Sequence, residues 1–264
     1  MKLGLENKVA LVTAASKGIG FGTAKILAQE GCKVVMCSRS KDDIEKARDS
    51  ISKSTHNDSV LALPADISLE GDLNHVLQES TKRFGSIDIL AYNAGSPKVA
   101  AFLDLSDEDW NTAVRLLLLS AIWLAKGVIP AMREKKWGRL VFITSMTLKQ
   151  PIRNLVLSNV VRLSIAGLSK DLSEEFGGDG ITSNVIMQGN ILTGRQRAIT
   201  EDFAKRNAMT FEEAERARIR EIPARRFGTV EEVGNTVAFL ASEQASYVNG
   251  ASLLVDGGLV RSVL

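Results

Sequence analysis

The segment Thr13-Ala-Ala-Ser-Lys-Gly18-Ile-Gly20 is the stretch of this 264-residue chain best suited to hold a charged ligand. It follows a short apolar run, Lys8–Thr13, and leads into a segment of helical apolar spacing, Ile19–Glu30. Glycines at such a junction let the backbone turn tightly and approach phosphates. The helix that follows offers unpaired N–H groups and the positive end of its dipole. A cradle for the pyrophosphate of a nicotinamide dinucleotide is expected there, with Thr13, Ala15, Ser16, Lys17, Gly18, Ile19 and Gly20 as contacts. The next apolar run, Lys33–Cys37, ends in Ser38-Arg39-Ser40. No carboxylate stands near Ser38 to accept from a ribose 2′-hydroxyl, whereas Arg39 and Lys17 suit a 2′-phosphate, the arginine as a bidentate fork. NADP(H) is therefore expected over NAD(H).

Other chemistries find little to work with. Two histidines, His56 and His75, and two cysteines, Cys32 and Cys37, cannot make a tetrahedral metal site with sensible spacing, so no metal is expected. The cysteines are five apart in what reads as one strand, which places them on opposite faces and prevents easy pairing. A reduced, cytoplasmic setting is the simple reading. The net charge is +2, so no broad field calls for nucleic acid or an acidic membrane. The N-terminal residues lack the pattern of a signal peptide. The apolar stretch Val114–Ile129, about 16 residues, is short of the roughly 20 that span a bilayer.

The elements that must position the turn alternate regularly. Further strand candidates are Val60–Leu63, Ile87–Tyr92, Gly138–Thr144, Ile181–Met187 and Ser252–Val255. Between them, helical spacing covers Lys41–Ser52, Leu69–Phe84, Asp107–Met132, Val160–Phe176 and Val230–Leu240. This is the pattern of one α/β domain, a Rossmann-type, doubly wound, mostly parallel seven-stranded sheet with helices on both faces. The charged segment Thr193–Pro223 lacks a strand and reads as one or two amphipathic helices, an insert at the carboxyl ends of the strands that would serve as a substrate lid.

Across nearly its whole length the chain resembles the short-chain dehydrogenases/reductases, particularly the 3-oxoacyl-acyl-carrier-protein reductase-like members. The residues that carry the resemblance are the TAASKGIG turn, Asp66-Ile-Ser, Tyr92-Asn-Ala-Gly95, Trp110 and the run from Ile222 to Gly258. Ala14 stands where the family usually has its first glycine. The resemblance implies that Asp66 and Ile67 frame the adenine and that Asn93, Ala94 and Gly95 line the cofactor cleft. It implies further that Gln188-Gly189 replaces the family's Pro-Gly, and that Ile191 and Thr193 hold the nicotinamide carboxamide.

The same resemblance calls for a Tyr-x-x-x-Lys pair, a serine upstream of it and an asparagine on the preceding long helix. The two tyrosines, Tyr92 and Tyr247, are followed four residues on by Ser96 and Ala251, so no such pair exists. By family spacing Ser145 matches the catalytic serine. Ser158 takes the tyrosine position, Arg162 the lysine position and Leu117 that of the asparagine. Ser158 and Arg162, four apart, share one helix face. Arginine could bind ribose hydroxyls and stabilise a developing alkoxide, but with a pKa above about 12 it is a poor proton donor. Losing a general acid removes about 10²–10⁴-fold in rate, so hydride transfer would be slowed rather than forbidden.

The expected activity is NADP(H)-dependent reduction of a small-molecule carbonyl or acyl thioester, with Ser145, Ser158 and Arg162 as catalytic residues. The alternative is a weakly active or inactive cofactor-binding sensor or partner subunit. Leu116–Leu119 with Trp123 forms an apolar stripe suited to a homo-oligomer, a dimer or homotetramer. The basic run Arg133, Lys135, Lys136 and Arg139 reads as a solvated helix end or as a surface for an acidic carrier or coenzyme phosphate. Arg195 and Arg197, early in the insert, are further candidates for an anionic substrate group.

Overall fold

Side-chain alternation along the short apolar runs decides the architecture. In the computed structural model, which describes residues 2–263, these runs form β1 (Val9–Val12), β2 (Lys33–Ser38), β3 (Val60–Pro64), β4 (Ile89–Asn93), β5 (Gly138–Ile143), β6 (Ile181–Gln188) and β7 (Ser252–Val255). They pair in the order β3-β2-β1-β4-β5-β6-β7, and every neighbouring pair is parallel. The sheet is thus wholly rather than mostly parallel. Val9 and Leu11 of β1 point into one core layer and Ala10 and Val12 into the other, as a period of two requires.

Ten α-helices are formed by the described residues. They are α1 (Gly18–Gln29), α2 (Lys41–Thr55), α3 (Glu70–Phe84), α4 (Asp107–Val114), α5 (Ser120–Lys135), α6 (Val156–Val161), α7 (Leu163–Phe176), α8 (Gly194–Arg206), α9 (Phe211–Arg220) and α10 (Val230–Ala241). Leu27 of α1, Ile44 and Ile51 of α2, and Val233 and Val237 of α10 fill one core layer. Leu73 of α3, Leu124 and Val128 of α5, Leu157 of α6 and Ile165 of α7 fill the other. Strand order reverses between β1 and β4, and a crevice opens beyond their carboxyl ends at such a switch point. Cys32 and Cys37 lie free and buried in different layers, and burial pushes both thiols up to about 12.

The long helical segment departs from its expected form in two ways. It continues to Lys135, and by length and composition Asp107–Lys135 suffices to cross a membrane, although Val114–Ile129 alone falls short. Leu117, Ala121, Leu124, Val128 and Met132 nevertheless bury one side of it against the sheet. The segment is also interrupted: Arg115–Leu119 widens into a π turn between α4 and α5. Such single turns arise where a helix absorbs a residue that its regular ladder cannot pair. The expected helix Val160–Phe176 likewise begins earlier, at Val156, and divides at Arg162.

Candidate active site

Lys17 caps α1 in extended backbone conformation and supplies no side-chain bond, which leaves the first N–H groups of the helix facing the turn. Close approach explains Gly20, because a Cβ there would lie 2.4 Å from the carbonyl oxygen of Ala14. Ala14 itself sits at φ +48°, in the left-handed region that favours glycine and costs an alanine about 1–2 kcal/mol. Surrounding bonds hold it there. Asn93 Nδ2 donates to the Ala14 carbonyl (3.4 Å), and Ala15 N donates to Cys37 O (3.0 Å). Thr13 Oγ1 donates to Asn93 O (2.6 Å) and accepts from Asn93 N (2.8 Å). Thr13 is fully buried, so it ties β1 to β4 rather than facing the cleft. Lys17 is exposed, and Ala15 and Gly20 are buried in the turn, with Ser16, Gly18 and Ile19 part-exposed around them.

At the adenine end, Ser38 is buried and Arg39 projects exposed from the start of the loop after β2. Ala65 N donates to Ser38 O (2.8 Å), which draws the segment carrying Asp66 and Ile67 to the same edge. The Asp66 carboxylate accepts from Ser68 N (2.9 Å) and Ser68 Oγ (2.7 Å), while Ile67 is buried beneath it. At the opposite end, Gln188 closes β6 and Gly189 N donates to Val255 O (3.0 Å). Ile191 is buried and bridges to Gly228. Thr193 caps α8 by accepting from Gln196 N (3.2 Å), and its Cγ2 lies 3.5 Å from where a Cβ on Gly18 would stand. The N-terminus of α8 therefore abuts the glycine turn.

Ser145 follows β5 half-buried, and its Oγ accepts from Thr147 N (3.2 Å). That bond leaves the hydroxyl hydrogen available to a further acceptor. Ser158 and Arg162 are both buried, one turn apart, and Arg162 N donates to Ser158 O (3.2 Å). Arg162 Nη2 reaches back to the Gly95 carbonyl (2.9 Å) and the Ala94 carbonyl (3.4 Å), so the expected site arginine and the loop after β4 are in direct contact. Burial pulls the Arg162 pKa below the ordinary arginine value, nearby Tyr92 opposes that shift, and the charge of Arg195 adds to it.

Tyr92 was not expected at this site. Its hydroxyl bonds the Leu116 and Leu117 carbonyls, both at 3.0 Å, and Ser120 Oγ at 2.8 Å. Those carbonyls belong to the π turn, where Ser120 N donates to Arg115 O instead of to the Leu116 carbonyl. Leu117, at the expected asparagine position, is buried within the same turn and contributes only its carbonyl. Burial pushes the Tyr92 hydroxyl up to about 12. A lone tyrosine on an apolar strand was the available sequence signal, but it carried no indication of a π turn opposite.

Two surface features are defined by the folded chain. Leu116, Leu118 and Trp123 pack against the core around the buried Leu117 and stay half-exposed, as does Leu119. In the basic run, Arg133 and Lys136 pair with Asp179, Lys135 pairs with Asp88, and Arg139 is buried over Trp137. Arg133, Lys135 and Lys136 remain exposed with these partners, as a solvated helix end would be, whereas Arg139 is buried. Among the described residues no group of three His, Cys, Asp or Glu side chains is placed to hold a metal ion.

A doubly wound parallel sheet with a glycine turn at its switch point defines a dinucleotide-binding α/β protein. The family model described as enoyl-(acyl carrier protein) reductase matches residues 13–260. The chain is 33% identical over 258 residues to the 3-oxoacyl-[acyl-carrier-protein] reductase of Escherichia coli, covering 97% of this chain and 99% of that one. It is 32% identical to bovine dehydrogenase/reductase SDR family member 4, covering 96% of this chain and 88% of the relative. Among solved structures it is similar to L-sorbose reductase from Gluconobacter frateurii in complex with NADPH and L-sorbose, with a TM-score of 0.95, 30% identity and full coverage of both chains. The actinorhodin polyketide ketoreductase with NADPH superposes with a TM-score of 0.91 at 27% identity, covering 99% of each chain. The chain belongs to the short-chain dehydrogenase/reductase superfamily of oxidoreductases.

Proposed function

We propose that this protein is an NADP(H)-dependent reductase of a small carbonyl compound, working with a serine–arginine site in place of the tyrosine–lysine pair. The observation that carries the reading is the buried Arg162 guanidinium, fixed on the Gly95 and Ala94 carbonyls one helical turn from Ser158. The glycine turn suits a dinucleotide, since Gly20 lets the backbone fold closely on Ala14 and the first N–H groups of α1 carry no side-chain cap. Exposed Lys17 and Arg39 are the residues that would hold a 2′-phosphate, and the end of β2 carries no carboxylate to prefer a free hydroxyl. Ser16, Gly18, Ile19, Asp66, Ile67, Asn93, Ala94, Gly95, Gln188, Gly189, Ile191 and Thr193 complete the proposed cofactor contacts.

Bound NADPH would supply the hydride. Ser145 would donate its remaining hydroxyl hydrogen to the substrate carbonyl and so orient it. Arg162, charged at neutral pH, would stabilise the negative charge that develops on that oxygen. The Ser158 side chain is far smaller than a tyrosine, and a water in the space it leaves would deliver the proton. Segment 193–223, folded as α8 and α9, would serve as the lid over this site. The outer faces of α5 and α7 form a groove of about 760 Å³ lined by Ile122, Ile129, Leu168, Leu172 and Phe176, a surface suited to a second copy of the chain.

The test is NADPH binding followed by NADPH oxidation with acetoacetyl thioesters, quinones and simple ketones. Turnover that falls at least tenfold in both Ser145→Ala and Arg162→Met supports the reading. Turnover unchanged by both substitutions overturns the mechanism. Tight NADPH binding with no turnover on any compound favours the second reading, a cofactor-binding sensor or partner subunit, to which the missing tyrosine and lysine point. Replacing Arg39 with alanine should weaken NADPH at least tenfold more than NADH.

A further inference from the structure

The amino ends of β5 and β6 bring two polar side chains together away from the cofactor cleft. Strand register sets Arg139 opposite Thr182, on neighbouring strands about 4.8 Å apart. Side-chain alternation turns both toward the layer that holds Val141, Ile143 and Ile186. Arg139 is 2% exposed and Thr182 5% exposed. Two buried atoms of this pair, Arg139 Nε and Thr182 Oγ1, have no hydrogen-bond partner among the described residues. Such orphans are rare in folded proteins, because an unpaired buried polar group is costly.

The other bonds of Arg139 show which part of it is uncommitted. Its Nη1 donates to the Gly138 carbonyl (2.8 Å) and the Gly180 carbonyl (3.1 Å). Nη2 lies 3.8 Å from Glu243 Oε2, beyond hydrogen-bond reach, while Oε1 of that carboxylate accepts from Trp137 Nε1 (2.6 Å). The Nε–Nη2 edge, the fork that can bind two oxygens of a carboxylate or phosphate at once, is therefore free. Arg139 and Thr182 line one cavity of about 260 Å³ with Lys136, Gly180, Glu243 and Asn249. A single water has a share of only about 30 Å³. The charges there favour an anion. Arg133 and Lys136 share Asp179, and Arg139 has Glu243, so three cations meet two carboxylates. Lys8 Nζ adds a further cation 3.7 Å over the Trp137 ring, on which Arg139 also rests. Burial pulls the Arg139 pKa below the ordinary arginine value, and Glu243 opposes that shift.

We propose that the Nε–Nη2 edge of Arg139 and the Thr182 hydroxyl form a binding site for a small oxyanion, a phosphate or carboxylate group. The guanidinium fork takes two of its oxygens, and the Thr182 hydroxyl donates to it from the adjacent strand. The site is separate from the cofactor cleft. Arg139 stands near the start of β5 and Ser145 beyond its other end, about 20 Å away along the strand. The inference therefore stands whether or not the reductase reading holds.

The experiment is calorimetric titration of the cofactor-free protein with sodium phosphate and, separately, sodium acetate, at an ionic strength held constant with chloride. The wild type is compared with Thr182→Val, Arg139→Lys and a Lys17→Ala, Arg39→Ala double variant. The expected result is saturable binding, which the general stabilising action of phosphate salts does not produce. Saturation by either anion supports the site and tells which group it takes. Affinity should fall at least tenfold in Thr182→Val, the loss of one hydrogen bond to a charged group. It should fall as far in Arg139→Lys, which keeps the charge but not the fork. The double variant should retain it within about twofold, because those two cations lie at the glycine turn. Affinity lost in the double variant would place the anion in that turn and overturn the proposal. Affinity retained in Thr182→Val overturns it as well. So does the absence of saturable binding by either anion, the cavity then holding only water. Thr182→Val leaves the Arg139 contact with Trp137 in place, so it decides the matter if Arg139→Lys does not fold.

Discussion

Replacing Tyr92 with phenylalanine removes one oxygen from the core and tests the link between the sheet and the π turn. Three acceptor contacts, to the Leu116 and Leu117 carbonyls and to Ser120 Oγ, converge on that hydroxyl. Ser120 Oγ also donates to the Leu116 carbonyl at 2.7 Å. Two hydroxyl hydrogens therefore serve the Leu116 and Leu117 carbonyls, and with phenylalanine only the serine hydrogen remains. One buried carbonyl is left without a donor, at a cost of about 1–3 kcal/mol. The ring stays, including its tilted contact with Phe142 at 5.9 Å, so no packing loss is added. At roughly 2–4 °C per kcal/mol for a chain of this size, the melting temperature should fall by about 2–12 °C. Calorimetry checks this, with Ser120→Ala and the double variant completing a cycle. The double variant should lose less than the sum of the singles, since the contact between the two hydroxyls is lost in either single. Additive losses below about 0.5 kcal/mol each would refute the account of Tyr92 as the residue that completes the π turn.

Two further predictions follow from strained or buried groups. Ala14→Gly should relieve about 1–2 kcal/mol of left-handed strain and return about 0.4–1 kcal/mol through the greater freedom of the unfolded chain. A net gain of about 0 to 1.6 kcal/mol is thus expected in urea unfolding, with NADPH affinity retained; a net loss would contradict the strain. Cys32 and Cys37 are held at about 12 against an ordinary 9.0, and Tyr92 at about 12 against 10.0. Because each folded pKa lies above its unfolded value, the folded state keeps protons that the unfolded chain releases. The stability they contribute is complete below about pH 9 and is lost as pH rises toward 12. Urea midpoints measured from pH 8 to 11 should fall, and Cys37→Ala should flatten that slope; a level profile would show that these groups are not buried as described.

Repetition and spacing alone determined much of this protein. Alternating apolar runs and helical stretches fixed a parallel, doubly wound sheet, because a strand covered on both faces must be apolar on both. The glycine turn was equally legible, since a backbone that must approach phosphate and open a helix at once leaves few residues that fit. The loss of the tyrosine–lysine pair could also be read by counting, as could the insert at residues 193–223. Tertiary structure decided the rest. Whether Arg133, Lys135, Lys136 and Arg139 were an open basic surface depended on Asp88, Asp179 and Trp137, some of them distant in sequence. The π turn depended on a hydroxyl from β4 meeting carbonyls 24 and 25 residues further along the chain. Arg162 lies 67 positions from Gly95 and meets that carbonyl only in the folded chain. Periodicity reports which face of an element is buried, but not which charge has a partner. Partners are set by the packing of elements, and in this chain that packing gives the buried Arg162 the carbonyls of Ala94 and Gly95.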